Sequence, residues 1–150
     1  MSDQSTRALA LVQQVADELA IRRTLSRLAQ AQDDRDRDKY KACFTDMIML
    51  TEAAVIPNWT PQEVSVDQLA ELYFAEIDKL DFGHHLVVNH VITIDGDRAT
   101  CDADLFAIAA QSEGEDRKTS MAGGRYALKL KRVGDEWRIY ERAVRMRYRL

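Results

Sequence analysis

The chain has little of what staples or punctuates a small fold: two Cys, two Pro and six Gly in 150 residues. Two thiols make no disulfide framework, and Cys43 and Cys101 have no metal-ligand spacing. In a cytosolic chain such residues serve as small buried apolar groups. No apolar run approaches the roughly 20 residues of a membrane span, and residues 1–20 lack the apolar core of a secretory signal. The expected location is therefore cytoplasmic, with no membrane partner. Basic charge is not in excess either: 21 Lys and Arg stand against 25 Asp and Glu, a formal charge of −4, which argues against a nucleic-acid partner. The one basic concentration, RAVRMRYRL with Arg142, Arg145, Arg147 and Arg149, reads as a solvated strand face or a subunit contact.

What is present is an ordinary globular composition, 46% hydrophobic and 31% charged. A chain of this length fits one domain and buries about two thirds of its unfolded surface. Residues 1–16 read as an N-terminal extension with a short helix, and 17–150 as the domain. From Asp17, a fair N-cap, Leu19, Ile21, Leu25 and Leu28 fall near one helical stripe. The run DDRDRDKY breaks or jogs that helix, and Tyr40, Cys43 and Phe44 follow as a short apolar face. Met47 to Val55 reads as a strand. Both prolines lie between Pro57 and Val66, where Thr60-Pro61-Glu63 and Ser65-Gln68 offer two helix starts. Leu69, Leu72, Phe74 or Tyr73, Ile77 and Leu80 recur at helical spacing, predicting a helix over 67–81 that stops before Gly83.

After Gly83 the chain has strand character, cut by turn signals at Asp95–Asp97, Ser112–Asp116 and Val133–Glu136 into four long strands. Helices first and a meander afterwards predict an α+β fold. In it a curved antiparallel sheet forms a cone or half-barrel, and the N-terminal helices pack over its concave face around a pocket. Gly123 and Gly124 fit a strand bend or bulge, because no helix start follows them as a phosphate loop requires.

Two residues stand in patterns suited to proton transfer: Asp33, ending the first helical stretch, and His85, opening the first long strand. An imidazole oriented by a carboxylate is a general base near neutral pH that needs no metal or cofactor. Strand alternation puts His85, Val87, Asn89 and Val91 on one face and His84, Leu86, Val88, His90 and Ile92 on the other. Both faces carry apolar residues, so alternation leaves His84 and His85 as competitors, mutually exclusive unless a bulge intervenes. The same alternation sets His85 and His90 apart, so the three histidines make no metal site. Asp33 also has a plain reading as one acid of a solvated run, and His85 as a core imidazole bonded to backbone.

The stretches DDRDRDKYKACFTD, HHLVVN before the DGD turn, GGRY at 123–126 and DEWRIYER at 135–142 together resemble the SnoaL-like branch of the nuclear transport factor two-like superfamily. That branch holds polyketide cyclases, scytalone dehydratase, bile-acid dehydratase and hexachlorocyclohexane dehydrochlorinase. The resemblance covers roughly residues 17–144. It implies Asp33, rather than Asp34, by its spacing before Phe44 and Asp46, and His85 by its place four residues before Asn89. It also implies Arg142, five residues after Trp137, although alternation sets Arg142 opposite Trp137. Where the family often carries a polar or Tyr side chain shortly before the Asp, this chain has Leu25 and Leu28.

The function so implied is a cofactor-independent lyase, a dehydratase or related β-eliminating enzyme, on a small apolar carbonyl or cyclic compound. His85 is the base, Asp33 its orienter, Arg142 an anion stabiliser, and Asn89 and Tyr140 are further donors to substrate. A polyketide cyclase or double-bond isomerase would use the same dyad. A noncatalytic binding or assembly module, such as a dioxygenase small subunit, belongs to a different class. A homo-oligomer, dimer or trimer, is also implied.

Overall fold

The computed structural model describes residues 3–150. Helices α1 (Asp3–Asp33), α2 (Arg37–Ala42) and α3 (Val66–Ile77) pack on one mixed sheet of β1 (Phe44–Ala53), β2 (Gln62–Ser65), β3 (Phe82–Asp95), β4 (Arg98–Glu113), β5 (Asp116–Val133) and β6 (Glu136–Arg149). The strand order is β2-β1-β6-β5-β4-β3, and the sheet is not closed. It departs from a purely antiparallel sheet at one place: β1 runs parallel to β6, with β2 and α3 lying between β1 and the meander. The three meander hairpins close through two-residue turns led by Gly96, Gly114 and Gly134, each at positive φ, the conformation the first place of a II′ turn demands.

The first helix is longer than its periodicity suggests. It runs unbroken through residues 3–33, so Asp17 is no N-cap. Asp17 is instead buried in mid-helix, where it accepts from both Arg132 terminal nitrogens (2.7 and 2.8 Å), from Trp137 Nε1 (3.1 Å) and from Gln13 (3.2 Å). Ile21, Leu25 and Leu28 face the core as expected, while Leu19 is exposed with Leu9, Val12 and Val15 on the outward side. The helix ends where Arg35 takes a left-handed φ of 54°. The Asp36 amide closes back on the Ala31 carbonyl (2.9 Å), and the Asp36 side chain caps α2 by accepting from Lys39 N (3.0 Å). The acidic run is thus a helix-to-helix corner. Of the two candidate starts for α3, Ser65 is the one used, its side chain accepting from Gln68 N (3.1 Å).

Two bulges decide which side chains meet the helices. In β3 the pairing with β4 slips between Val88 and Val91, and Asn89 takes a φ of 55°. His85 and Val87 turn inward before the slip, and His90, Ile92 and Ile94 after it. In β6 the pairing with β5 slips between Ile139 and Glu141, so Trp137 and Ile139 face inward before it and Arg142 and Val144 after it. A bulge adds one residue to one strand and so reverses the phase of all that follow. His90 therefore lies on the same side as His85, and Arg142 on the same side as Trp137, both contrary to simple alternation. At Gly123 a Cβ would collide with the Tyr148 ring and at Gly124 with the Arg145 carbonyl. The pair permits a close strand approach, as a bend does.

The Arg132 fork, helped by Trp137 and Gln13, holds the Asp17 carboxyl down at about 2 against burial, which opposes it. A carboxyl lowered on folding stabilises fully above its unfolded value near 3.8, and the contribution is lost as pH falls through about 2. The shift corresponds to about 2 kcal/mol. We expect Asp17→Asn to lower the unfolding free energy by about that amount at pH 7, measured by urea titration. The difference between variant and wild type should vanish near pH 2; a constant difference down to that pH removes the ionic explanation.

Candidate functional site

The end of α1 and the start of β3 meet at one carboxylate. Asp33 Oδ1 lies 2.6 Å from His85 Nδ1, and the His85 backbone N–H donates to both Asp33 oxygens at 3.1 Å. The Asp33 and His85 side chains are 16% and 12% exposed. His84 reaches the same carboxylate only at 3.4 Å and is 65% exposed. Alternation had left these two histidines open; burial and distance choose His85. An ionised carboxylate cannot donate, so the ring nitrogen beside it carries a proton, and in the neutral ring the lone pair lies on Nε2.

His85 lines a cavity of about 180 Å³ between α3 and the concave face of the sheet. Arg142 lines the same cavity, 3% exposed. It donates to the Tyr40 hydroxyl (2.9 Å) and the Tyr126 hydroxyl (3.4 Å), with its guanidinium carbon 5.1 Å from the centre of the Tyr126 ring. Among the described residues no carboxylate pairs with it. A guanidinium keeps its charge in proteins, so the cavity holds a cation neutralised only by phenol dipoles and ring faces. Burial pushes the Tyr40 phenol up to about 12 and Tyr73 well above its ordinary value, so neither supplies a counter-charge. Burial likewise lifts the Cys43 and Cys101 thiols to about 11, as fits inert packing groups.

Two expected substrate contacts do not reach the cavity. Asn89 sits on the bulge, is exposed, and donates to Asp104 (2.9 Å) on the outer side of the sheet. Tyr140, at the second bulge, stacks under the Arg98 guanidinium at 4.9 Å. Asn89 lies at a slip in pairing, where period-2 reasoning loses its phase, whereas Tyr140 keeps the outward side that alternation from Trp137 gives it. His90 faces α1, and its basicity is lowered by burial and then by the charge of Arg22. Among the described residues no three His, Cys, Asp or Glu side chains come together as metal ligands, and no helix is long and apolar enough to cross a membrane.

Sequence reasoning missed Gln32 and Tyr73. Gln32 immediately precedes Asp33 and turns into the cavity, whereas Leu25 and Leu28 are core. Its signal was position alone, one residue before the carboxylate. A larger cleft of about 440 Å³ lies on the other side of α1, lined by Thr24, Arg27, Asp34, Lys39 and Glu136 among others. Arg27 and Glu136 pair across it while more than half and half exposed. It holds neither the imidazole nor the buried guanidinium, so the smaller cavity is the candidate site.

A family model described as a SnoaL-like domain matches residues 13–143. The chain belongs to that family. This SnoaL-like domain has the fold of the nuclear transport factor two-like superfamily, which its solved relatives share. A protein from Kribbella flavida is 23% identical over 89% of this chain and 93% of its own, with a TM-score of 0.82. A provisionally assigned scytalone dehydratase from Novosphingobium aromaticivorans is 17% identical over 91% and 88%, TM-score 0.79. A hexachlorocyclohexane dehydrochlorinase of type 2 is 15% identical over 93% and 90%, TM-score 0.76. At these identities the likeness is one of fold. No curated protein matches the sequence.

Proposed function

We propose that this SnoaL-like domain is a cofactor-independent lyase, a dehydratase or related β-eliminating enzyme, acting on a small, largely apolar carbonyl or cyclic compound. The observation that carries it is the 2.6 Å bond between Asp33 and His85 at the wall of a cavity that also holds Arg142. His85 Nε2 takes a proton from the carbon next to a carbonyl, and the bonding pair moves to form an enolate. Asp33 keeps the ring in the productive tautomer and stabilises the imidazolium. The enolate oxygen develops its charge against Arg142, a donor already placed and already desolvated. Electrons returning from the oxygen expel hydroxide or halide from the neighbouring carbon. The imidazolium then gives its proton to a departing hydroxide, which leaves as water.

Cyclases and double-bond isomerases share the first step, and remain the alternative. A noncatalytic module, such as a dioxygenase small subunit, has no use for a carboxylate-held imidazole in one cavity with a buried cation, so the dyad favours an enzyme. The test uses the shared step. Small cyclic ketones incubated with the protein in D2O should gain deuterium at the α-carbon well above the buffer rate, followed by proton NMR, and a β-hydroxy analogue should lose water. Buffer-level exchange across the ketone panel would overturn the enzyme reading.

A further inference from the structure

The first half of α1 stands clear of its own domain. Every residue from 3 to 16 is exposed, and burial begins at Asp17. The side of this segment turned away from the sheet is nevertheless apolar. Ala8, Leu11, Val12, Val15 and Leu19 follow the i, i+3, i+4, i+7, i+11 spacing that lines up one helix face, with Leu9 and Ala16 at its margin. They lie opposite Ile21, Leu25 and Leu28, which face the core, and Leu9, Leu11, Val12, Val15 and Leu19 are between 51% and 66% exposed. Beyond Leu19 the same side carries Arg22, Ser26 and Gln30, so the stripe is a bounded patch about 17 Å long. Monomers rarely expose a contiguous apolar patch of more than a few hundred Å². A helical segment of about fourteen residues without packing is also marginal in water. Both facts ask for cover.

We propose that the cover is the same face of a second copy of this chain, the two α1 helices running antiparallel about a two-fold axis between Gln13 and Gln14. That axis sets Leu19 on Ala8 of the second copy, Leu11 on its Ala16 and Val12 on its Val15, so large side chains meet small ones or their equals in every layer. Charge selects the direction. Arg7 and Glu18 lie on one flank of the stripe, about three turns apart, and among the described residues neither makes a salt bridge. An antiparallel two-fold turns like flanks toward each other, so each Arg7 stands beside Glu18 of the second copy with an axial offset of about 3 Å. Two such pairs close the rim. A parallel pair turns opposite flanks together and sets Arg7 against Leu9, Ala16 and Ala20, where no acid stands. The contact is self-complementary, so it ends at two copies. Because the stripe points away from the sheet, the two domains lie on the outer sides of the helix pair. The interface concerns the outside of α1 and does not depend on the lyase reading.

The test is sedimentation velocity of the whole protein over a micromolar concentration series. We expect a reversible dimer in wild type and a monomer throughout for Val12→Glu. Val12 is 66% exposed and Glu is the better helix former, so this variant folds, which circular dichroism checks. It should lose amide-exchange protection over residues 3–16 and keep it in the sheet, since only the cover is removed. Arg7→Glu places two like-charge pairs at the rim and should weaken the dimer about tenfold. Arg7→Glu combined with Glu18→Arg restores opposite signs and should return the affinity to within about threefold of wild type. A wild type that stays monomeric, a trimer, a dimer untouched by Val12→Glu, which would move the interface to the outer face of the sheet, or a double exchange no better than Arg7→Glu alone would each overturn the proposal.

Discussion

Replacing His85 with Gln should lower α-proton exchange by about 10³-fold, the range over which a positioned general base contributes, equivalent to about 4 kcal/mol in the barrier. Gln fills similar space and can still donate to Asp33, yet it accepts no proton. Asp33→Asn is expected to be as severe, for a different reason. The native carboxylate accepts from the His85 main chain with both oxygens and from the ring with one. An amide must turn one NH2 toward those donors. With its oxygen at the Oδ1 place it opposes the main-chain N–H with its NH2; turned the other way it donates to Nδ1, which moves the ring proton to Nε2 and presents a donor where a base is needed, a fault worth about 10⁴-fold in the serine protease triad. Initial rates by NMR, with circular dichroism to establish folding, decide the matter. A rate within threefold of wild type in either folded variant would remove the dyad from the mechanism.

Arg142→Met is the second large effect: kcat should fall by about 10²- to 10³-fold with KM little changed, the mark of a donor that acts on charge developing in the transition state. Arg142→Lys should recover little of it. The native guanidinium spans the Tyr40 and Tyr126 hydroxyls with separate nitrogens, and a lysine ammonium, a point charge on a flexible stem, has no such fork. The measurement is a full saturation curve for each variant on whichever ketone the wild type exchanges fastest. A raised KM with unchanged kcat would reassign Arg142 to ground-state binding.

The parts of this molecule that were legible in its sequence are those governed by local rules. Gly96, Gly114 and Gly134 announce their turns, Ser65 its cap, and the 3.6-residue recurrence from Leu69 to Ile77 its helix. The family resemblance, carried by spacing around Phe44 and Asn89, selected the pair that the fold brings within 2.6 Å. What could not be read depends on partners distant in the chain. Asp17 looks like a cap until Arg132 and Trp137, more than a hundred residues later, surround it. Asn89 looks like an inward residue until its strand slips by one beside it. The bulge at Tyr140 is also why Arg142, assigned by alternation to the wrong side of its strand, stands in the cavity.

The long first helix has a mechanical meaning. It is fastened at Asp17 to the central strands β5 and β6 and at Asp33 to the edge strand β3, two anchorages sixteen residues apart. At a rise of about 1.5 Å per residue that separation is about 24 Å. A hydrogen-bonded helix neither stretches nor shortens, so it works as a ruler that sets how far the Asp33 carboxylate travels across the sheet before it finds the imidazole. One residue gained or lost between the anchorages would rotate the carboxylate by about 100° around the helix axis and leave an intact rod pointing its reactive end at nothing. The same change ahead of Asp17 leaves the gauge as it was.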